Sequence, residues 1–550
     1  MHPTLHCEMS KTRPSWLAGL GITLAGLAFR LPWALQPRAV RWDEADYLLL
    51  ARHWLDGLGY QVFGVPDLVW PPGAPLMAAA SMVAGVPVDY ALAVWQVLAG
   101  ALVCGVLFGL ARDVTGNGWV AAGAGLLAAA SPALATWPLY WGSLTMPGFL
   151  LFLLAGLWIA WRLLSPPGAT GGERPAWRAG LMGAAAGVAF GAAALIRSEG
   201  LFWWALFLVI LAAAALWRRR GWLPVLLMAL AFMLVIAPYV AYLSRHTGHL
   251  MLSGKTGLVM LLTPPVLEQG GLGQDYTTRL DSSGREILWL SPEKFDVSLS
   301  DFLLDDPRAT LRLVRLTLAL AAEALVDPLL GYVLLGLAGL GLFGAIWTRR
   351  RWAGEAFWLA SLLPLTVLFV TKVETRYLVP LVPVALVWAG WGVVNLAAWA
   401  ITSFENVSGK RLAAPLLIGP LLFLLLALGF AGQRQAAAAG QASLTPSHQE
   451  AGLWLAAHAG PNDPIMSRSS TVALYADRPL VAFPNATWPE VLAYGQARHM
   501  RYLVTDDWEL TELRPQLDFL LDPSLAPPEL EHVATFDGPR RTTLIYRVRE

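Results

Sequence analysis

Two neighbouring stretches near the start of the chain indicate the kind of fold: Trp16–Leu35 reads WLAGLGITLAGLAFRLPWAL, and Arg41–Tyr47 reads RWDEADY. The first has the length of about 20 mainly apolar residues that a helix needs to cross a bilayer. The second places three carboxylates, on Asp43, Glu44 and Asp46, within four residues. Ionisable groups next to a membrane are costly and usually serve a function or a partner. The pair therefore predicts a membrane protein with a polar site just beyond its first helix.

The composition places the whole chain in the membrane class. Of its 550 residues, 56% are hydrophobic and only 14% are charged, and the mean hydropathy is +0.53. Soluble domains carry about 25% charged residues. The net charge of +1 gives no reason to expect a nucleic acid as partner. The two cysteines, Cys7 and Cys104, lack the spacing of a metal site and are not expected to form a disulfide.

Eleven apolar segments are long enough to be predicted as transmembrane helices. They are residues 16–35, 90–111, 119–136, 145–161, 179–196, 201–217, 222–241, 328–347, 355–371, 378–400 and 413–431. If the N-terminus is cytoplasmic, 14 Lys and Arg residues fall in the short cytoplasmic flanks and only 3 in the short external loops. The positive-inside rule favours this orientation, which puts the C-terminus outside.

Three longer regions are predicted on the external side of the membrane. Residues 36–89 contain the acidic motif and an apolar stretch, 76–86, that is too short to span, so we expect one or two interfacial helices there. Residues 243–327 end in a segment that resembles another interfacial helix. Near the C-terminus, strand-like runs at 464–466, 501–504 and 542–548 alternate with helical patterns. The predicted division is a transmembrane domain at 1–431, a linker at 432–446 and a small external α/β domain at 447–550.

The letters Asp43-Glu44-Ala45-Asp46 also spell the motif of DEAD-box helicases. Such a motif needs a Gly-rich phosphate loop earlier in the chain, whereas the nearest candidate, residues 253–257, comes later. Five residues separate Gly248 from Gly254 there, and the loop requires four. Both segments are also predicted outside the membrane, where no ATP is available. The helicase interpretation therefore fails.

Three interpretations of the acidic motif remain open from the local sequence. If it is helical, Asp43, Asp46 and Tyr47 share one face, and Glu44 points about 100° away. A carboxylate at such a boundary can act as a general base toward an attacking hydroxyl. A pair of carboxylates can instead hold a divalent cation that neutralises a phosphate. The third interpretation is a solvated helix N-terminus, where acidic side chains interact favourably with the helix dipole.

Further short motifs follow the acidic one in order along the chain. They are Arg30, Asp43-Glu44-Ala45-x-Tyr47, Ala51-Arg52, Gly57, Pro71-Pro72-Gly73, Pro238-Tyr239, Thr247-Gly248, Ser253-Gly254-Lys255 and Glu374-Thr375-Arg376-Tyr377-Leu378-Val379-Pro380. Together they resemble the dolichyl-phosphate-mannose–protein mannosyltransferase-like superfamily, the GT-C group that includes the aminoarabinose transferases of lipid A. The resemblance covers roughly residues 15–430, and the small external domain also fits many bacterial members.

The resemblance implies an inverting glycosyltransferase of the bacterial inner membrane. Such enzymes take a sugar from a polyprenyl-phosphate-linked donor and pass it to an acceptor hydroxyl, here on a lipid, a glycan or a protein. Asp43 is then the expected catalytic base, with Glu44 close by for orientation or cation binding. Cations at the outer boundary would bind the donor phosphate, for which bidentate Arg is best suited. The expected phosphate ligands are Arg376, Tyr377, Arg245, Lys255 and Lys372, and the expected cavity-lining residues are Arg30, Tyr47, Arg197 and Glu199.

Two departures from the family pattern bear on the mechanism. Many relatives carry an acidic residue after the Thr that opens the fourth span, but here Thr145 is followed by Met146. The aminoarabinose branch has a Lys before the Pro of its first loop, where this chain has Val69-Trp70-Pro71. The first departure argues against a scheme with two carboxylates or an obligatory metal, although a divalent cation stays open. The second argues against aminoarabinose transfer to lipid A.

Two alternatives to this function remain. One is a glycan ligase or polymerase of the cell envelope, whose critical residues would lie in a large late loop such as 243–327. The other is a transporter or scaffold for envelope glycans without catalytic activity. A transporter is expected to place its charges near the membrane midplane. Here the charges gather at the outer boundary, which favours the enzyme, and Arg30, inside the first predicted span, is expected to pair with the acidic loop.

Overall fold

The computed structural model describes residues 15–140, 144–165, 175–217, 221–295, 307–344, 347–371 and 374–549. Helices dominate the chain up to residue 442. They are α1 (Ser15–Ala34), α2 (Asp43–Leu55), α3 (Gly73–Val83), α4 (Ala93–Thr115), α5 (Gly118–Ala130), α6 (Pro132–Ala135), α7 (Trp137–Tyr140), α8 (Met146–Leu164), α9 (Ala176–Ile196), α10 (Gly200–Trp217), α11 (Leu223–Thr247), α12 (Lys255–Gln269), α13 (Pro307–Ala324), α14 (Gly331–Phe343), α15 (Arg349–Leu362), α16 (Leu381–Ser408) and α17 (Pro415–Ala442). Short 3-10 helices lie at Val88–Tyr90, Gly270–Thr278, Pro292–Phe295, Leu363–Val370 and Thr375–Leu378.

Nine helices in the described residues are long and apolar enough to cross a membrane, which confirms the predicted polytopic fold. The other two predicted spans, 119–136 and 355–371, are each interrupted. Helix α5 ends at Ala130 just before Pro132, and α15 gives way to a 3-10 helix that contains Pro364. Because proline lacks the amide hydrogen that continues a helix, both interruptions follow from the sequence.

Small residues bring α9 and α11 into close contact. A Cβ atom added to Gly183 would lie 2.1 Å from the carbonyl oxygen of Pro224, and one added to Gly187 would lie 2.3 Å from that of Met228. Small residues four apart allow this approach between apolar helices. The contacts advance in the same direction along both helices, so α9 and α11 are parallel. Their C-terminal ends therefore lie on the same side of the helix bundle.

The first predicted external region contains two helices, as expected. Helix α2 begins with the acidic motif, and α3 packs on the end of α9, where a Cβ on Gly73 would lie 2.6 Å from the carbonyl oxygen of Leu195. Only glycine allows this contact, so Pro71-Pro72-Gly73 seats α3 beside the loop that follows α9. The helix α13 at the end of the second region is also present and exposes several leucines.

A small α/β domain forms the C-terminal part of the chain, as predicted. Its strands are β1 (Ile465–Ser467), β2 (Leu480–Ala482), β3 (Tyr502–Asp506), β4 (Leu530–Asp537) and β5 (Thr542–Val548), and its helices are α18 (Pro446–His458), α19 (Ser470–Ala476) and α20 (Trp488–Gln496). The sheet order is β2-β1-β3-β5-β4, with β1 parallel to both neighbours and β5 antiparallel to β3 and β4. Strands β2 and β4 were not predicted from the sequence. A linker was predicted at 432–446, whereas α17 continues through Ala442.

Candidate functional site

Asp43 is the first residue of α2 and leaves a strained turn. The preceding Trp42 has a φ of 51°, a left-handed value that costs a non-glycine residue about 1–3 kcal/mol. Arg41 supports the turn, since its guanidinium lies 4.3 Å from the Trp42 ring centre and donates a hydrogen bond of 2.7 Å to Ser443 Oγ. Asp43 Oδ2 accepts a hydrogen bond of 2.7 Å from Arg376 Nη1. Its other oxygen, Oδ1, has no hydrogen-bond partner in the part of the chain that the structure describes.

Glu44 lies outside the site of Asp43, although the two residues are adjacent in the sequence. It forms an ion pair of 2.5 Å with Arg38 and is only 1% exposed. Burial raises the pKa of Glu44 above its ordinary value, while the charge and hydrogen bond of Arg38 oppose the shift. The expected role of Glu44 as a partner of Asp43 is therefore not supported, because the turn between adjacent helix positions points the two side chains apart.

Arg376 joins two carboxylates at the start of α16. It lies in the 3-10 helix Thr375–Leu378, and besides Asp43 it contacts Glu374 Oε2 at 2.6 Å from Nε. Burial opposes the charged form, but Asp43, Tyr377 and Glu374 together raise the pKa of Arg376 well above its ordinary value. The guanidinium is thus held charged and fixed in direction. Because Arg376 already contacts two carboxylates, its position fits a role in orienting Asp43 better than a role in binding a phosphate.

Lys255 is placed beside this pair by a close backbone contact. A Cβ added to Gly254 would lie 1.5 Å from the carbonyl oxygen of Leu68, so only glycine allows α12 to begin here. The Lys255 ammonium lies 5.1 Å from the ring centre of Trp70 and 5.9 Å from that of Tyr377, distances typical of cation–π contacts. Among the described residues it makes no direct ion pair. Burial lowers the pKa of Lys255 to about 8, although Glu199 opposes the shift.

A second ion pair, between Arg197 and Glu199, completes the cluster in the loop between α9 and α10. Arg197 Nη2 contacts Glu199 Oε1 at 2.6 Å, and Nη1 donates to Thr145 Oγ1 at 3.1 Å. The guanidinium also lies 5.2 Å from the Tyr377 ring centre. Burial alone would raise the pKa of Glu199, but Arg197 and Lys255 lower it to about 2. Its second oxygen, Oε2, is buried without a hydrogen-bond partner among the described residues.

The ring of Tyr377 is the centre around which these groups assemble. Three cations, on Arg197, Lys255 and Arg376, lie within 5.9 Å of its ring centre. The buried ring of Tyr47 lies next to this group and packs edge-on against Trp70, with 5.1 Å between the ring centres. Seven predicted residues therefore meet in one place. We call the set Asp43, Tyr47, Lys255, Arg197, Glu199, Glu374, Arg376 and Tyr377 the boundary cluster.

The boundary cluster does not fit a divalent cation. It contains three cationic side chains and three carboxylates, and Asp43 and Glu199 are each already bound to a guanidinium. Within the described ranges, no group of three or more His, Cys, Asp and Glu side chains could hold a metal ion. The residues present therefore do not support the divalent cation that the sequence left open.

Two further expected site residues lie elsewhere, and a third falls outside the described residues. Arg30 is buried inside α1 and donates hydrogen bonds of 2.9 Å to the Gly26 carbonyl and 3.0 Å to the Leu134 carbonyl. Its predicted pairing with the acidic loop is therefore wrong, because backbone carbonyls of α1 and α6 accept its hydrogen bonds instead. Arg245 is exposed near the end of α11, and no described contact links it to the boundary cluster. Lys372 lies outside the described residues.

Several residues that shape the site were not predicted from the sequence. Glu374 belongs to the same motif as Arg376, but no feature of the sequence assigned it a role. Trp70 was noted only as a departure from a family pattern, and Thr145 only as the residue before a missing acid. Ser470, which donates a 2.5 Å hydrogen bond to Asp46, has no local signal, because it lies 424 positions away in the C-terminal domain.

Comparison with solved structures supports the fold. The crystal structure of ArnT from Cupriavidus metallidurans in the apo state has a TM-score of 0.56 and 15% identity, and the alignment covers 96% of this chain and 98% of ArnT. The same protein bound to undecaprenyl phosphate gives a TM-score of 0.52 at 16% identity, over 96% and 97% of the two chains. The oligosaccharyltransferase AglB from Archaeoglobus fulgidus, in complex with an inhibitory peptide and a dolichol-phosphate, gives 0.50 at 12% identity, over 90% of this chain and 69% of AglB.

These neighbours confirm the predicted architecture. The chain therefore has the fold of Cupriavidus metallidurans ArnT and of the Archaeoglobus fulgidus oligosaccharyltransferase AglB. It is a multi-pass membrane protein with a small C-terminal α/β domain. No protein-family model and no curated protein sequence matches the chain.

Proposed function

We propose that the chain is an inverting glycosyltransferase that moves a hexosyl or pentosyl group from a polyprenyl-phosphate-linked donor to an acceptor hydroxyl. One observation carries the proposal: Arg376 fixes one oxygen of Asp43, the other has no hydrogen-bond partner among the described residues, and the Lys255 ammonium lies nearby against Trp70 and Tyr377. A base and a phosphate-binding cation thus stand side by side. The shared fold supports the donor class, since the ArnT and AglB structures hold undecaprenyl phosphate and dolichol-phosphate.

In the proposed reaction Asp43 is the general base. The acceptor hydroxyl donates a hydrogen bond to Oδ1 and attacks the anomeric carbon from the face opposite the phosphate. A bond forms between the acceptor oxygen and this carbon, and the bond from the carbon to the phosphate oxygen breaks. The hydroxyl proton passes to Asp43, and the electron pair leaves with the phosphate, so the anomeric configuration inverts. General bases of this kind contribute typically about 100- to 10,000-fold to the rate.

Lys255 is our first candidate for binding the donor phosphate. Its ammonium can reach an incoming anion without first leaving a carboxylate, whereas Arg197 and Arg376 each hold one at 2.6 Å or 2.7 Å. Tyr377 lies under all three cations and keeps them close together. Glu199 remains ionised, and its unpartnered oxygen can accept a hydrogen bond from a sugar hydroxyl. Arg245 and Lys372 keep no assigned role in this proposal.

We place the boundary cluster on the external face of a bacterial inner membrane. The distribution of 14 basic residues against 3 between the two sets of short loops supports a cytoplasmic N-terminus. The C-terminal domain contacts α2 and therefore lies on the same face as Asp43. Nucleotide sugars are absent from that side, so a lipid must deliver the donor. The acceptor is then a lipid, glycan or protein that is also presented outside the cell membrane.

The test is a transfer assay in membranes that contain the protein and a radiolabelled polyprenyl-phosphate sugar. We expect the wild type to move label from the lipid fraction to an acceptor, and Asp43→Asn to lower the rate at least about 100-fold. Asp56→Asn is the matched control, because Asp56 is exposed just beyond the other end of α2. Full activity of Asp43→Asn would refute the base assignment. A wild type that accepts neither hexosyl nor pentosyl donors would refute the reaction itself.

A further inference from the structure

The C-terminal domain contacts the helix that carries Asp43. Ser470 Oγ, at the start of α19, donates a hydrogen bond of 2.5 Å to Asp46 Oδ1. Further along α2, Arg52 Nη1 donates to the Leu474 carbonyl at 2.7 Å. Thr471 Oγ1 donates to the Val40 carbonyl, just before the helix, at 3.3 Å. Helix α19 therefore holds α2 near its beginning, in its first turn and in its last.

Apolar packing reinforces these polar contacts. Ala473 and Leu474 of α19 lie in one buried cluster with Leu48 and Leu50 of α2, and all four side chains are at most 1% exposed. The interface between the two domains is thus a continuous core at this point, and the same cluster includes Ala74 and Ala78 of α3. Close-packed cores of this kind transmit small displacements instead of absorbing them.

A chain of hydrogen bonds connects the Ser470 turn to the sheet of the C-terminal domain. The neighbouring Ser469 Oγ lies 3.1 Å from His448 Nδ1, and His448 Nε2 lies 2.9 Å from Asp506 Oδ2 at the end of β3. Asp506 also accepts hydrogen bonds from Arg541 Nη1 at 3.1 Å and from the Glu509 amide at 2.7 Å. The turn that bears Ser470 is therefore anchored to the end of β3, the central strand of the sheet.

We propose that the C-terminal domain sets the rotation of α2, and that Ser470 is a positioning residue that directs the Asp43 carboxylate through Asp46. Asp43 and Asp46 are three positions apart and share one helix face. A carboxylate about 6 Å from a helix axis moves about 2 Å when the helix turns by about 20°. A displacement of about 1 Å in a reacting group can lower a rate about 100-fold. The inference rests on the proposed function, because it concerns the same base.

The first test is the kinetics of Ser470→Ala in the transfer assay. We expect kcat to fall about 10- to 100-fold with donor KM unchanged, since the phosphate ligand Lys255 lies on a different helix. Ser470→Thr keeps the hydroxyl and should restore kcat to within about 3-fold of wild type. In an Asp46→Ala background, Ser470→Ala should cost nothing more, because the hydrogen bond between the two residues is already absent there. Ser524→Ala, in an exposed turn of the same domain, is the control.

The second test needs no activity: hydrogen exchange of the peptide that covers 43–52. Ser470→Ala should speed exchange in the first turn of α2, and Ser470→Thr and Ser524→Ala should not. The proposal is overturned if Ser470→Ala keeps its kcat, if donor KM changes instead, or if exchange of α2 is unaltered. It fails independently of the proposed function when Asp43→Asn is inactive but Ser470→Ala is not. If Ser470→Ala speeds hydrogen exchange in α2 but the wild type transfers no sugar, the positioning of α2 by Ser470 is supported and only the glycosyltransferase assignment is refuted.

Discussion

Replacement of Lys255 by Met gives the most direct test of how the site binds its donor. Methionine keeps the apolar stem over Trp70 but removes the ammonium, which makes no direct ion pair among the described residues. A hydrogen bond to a charged group contributes about 1.5–3 kcal/mol. At about 1.36 kcal/mol for each factor of ten, the donor KM should rise roughly 10- to 150-fold. The acceptor KM should stay the same, because the acceptor is expected at Asp43.

The pH dependence of the same step gives a second, independent measurement. Burial lowers the pKa of Lys255 to about 8, with Glu199 opposing the shift. Below that pH the side chain is charged and binds phosphate, and above it the charge is lost. The donor kcat/KM, which reports groups of the free enzyme, should therefore fall about tenfold per pH unit above about pH 8. Lys255→Arg should remove this alkaline limb, since an arginine stays protonated.

The membranes, donor and acceptor should be the same for all variants, with Lys410→Met as the matched control. Lys410 is exposed just beyond the far end of α16, away from the boundary cluster. An alkaline limb that persists in Lys255→Arg would show that another group titrates there. A rise in acceptor KM with unchanged donor KM in Lys255→Met would refute the phosphate role.

Two further substitutions test the geometry of the site. Gly254→Ala should displace the start of α12, because its Cβ would lie 1.5 Å from the Leu68 carbonyl oxygen. Overpacking of this kind costs about 1–3 kcal/mol. The thermal midpoint in detergent should therefore drop by a few degrees, and donor binding should weaken. Arg376→Lys keeps the positive charge but loses the planar guanidinium that contacts both Asp43 and Glu374. The value of kcat should fall about tenfold or more, while the thermal midpoint changes little.

The controls for these substitutions come from the same chain. A Cβ added to Gly221 has no atom within 4 Å, so Gly221→Ala should leave the thermal midpoint unchanged. Arg350→Lys, at the start of α15, alters an exposed guanidinium outside the boundary cluster and should not change kcat. A stable and fully active Gly254→Ala would contradict the packing argument, and a fully active Arg376→Lys would contradict the orienting role.

The spans and the C-terminal domain were largely predictable, because their signals are local. A bilayer fixes the length of an apolar helix, and nine of the eleven predicted segments fall in long helical stretches of the described residues, one of which, Pro307–Phe343, comprises α13 and α14. The two exceptions contain Pro132 and Pro364, which interrupt helices in a way that apolar content alone does not reveal. The strand β2 has three residues and β4 is partly exposed, so neither gave a clear apolar alternation.

The site was harder to predict because distance along the chain is a poor guide to distance in space. Asp43 and Glu44 are neighbours in the sequence, yet their side chains pair with different arginines. Asp43 and Arg376 are 333 positions apart and form a direct ion pair. Motif order suggested that both belong to the site, but only the packing of the helix ends could decide which cation meets which acid.

The pairing of Arg376 with the base, instead of with the phosphate, has a consequence for the proposed reaction. Before transfer, Asp43 and Glu374 share the charge of Arg376. As the acceptor proton reaches Asp43, that carboxylate becomes neutral, and its hold on the guanidinium weakens. At the same moment the leaving phosphate gains negative charge near Lys255, whose own pKa is already influenced by Arg376. Proton transfer would thus release cationic charge toward the leaving group at the step that needs it, so base catalysis and phosphate stabilisation are coupled through one arginine.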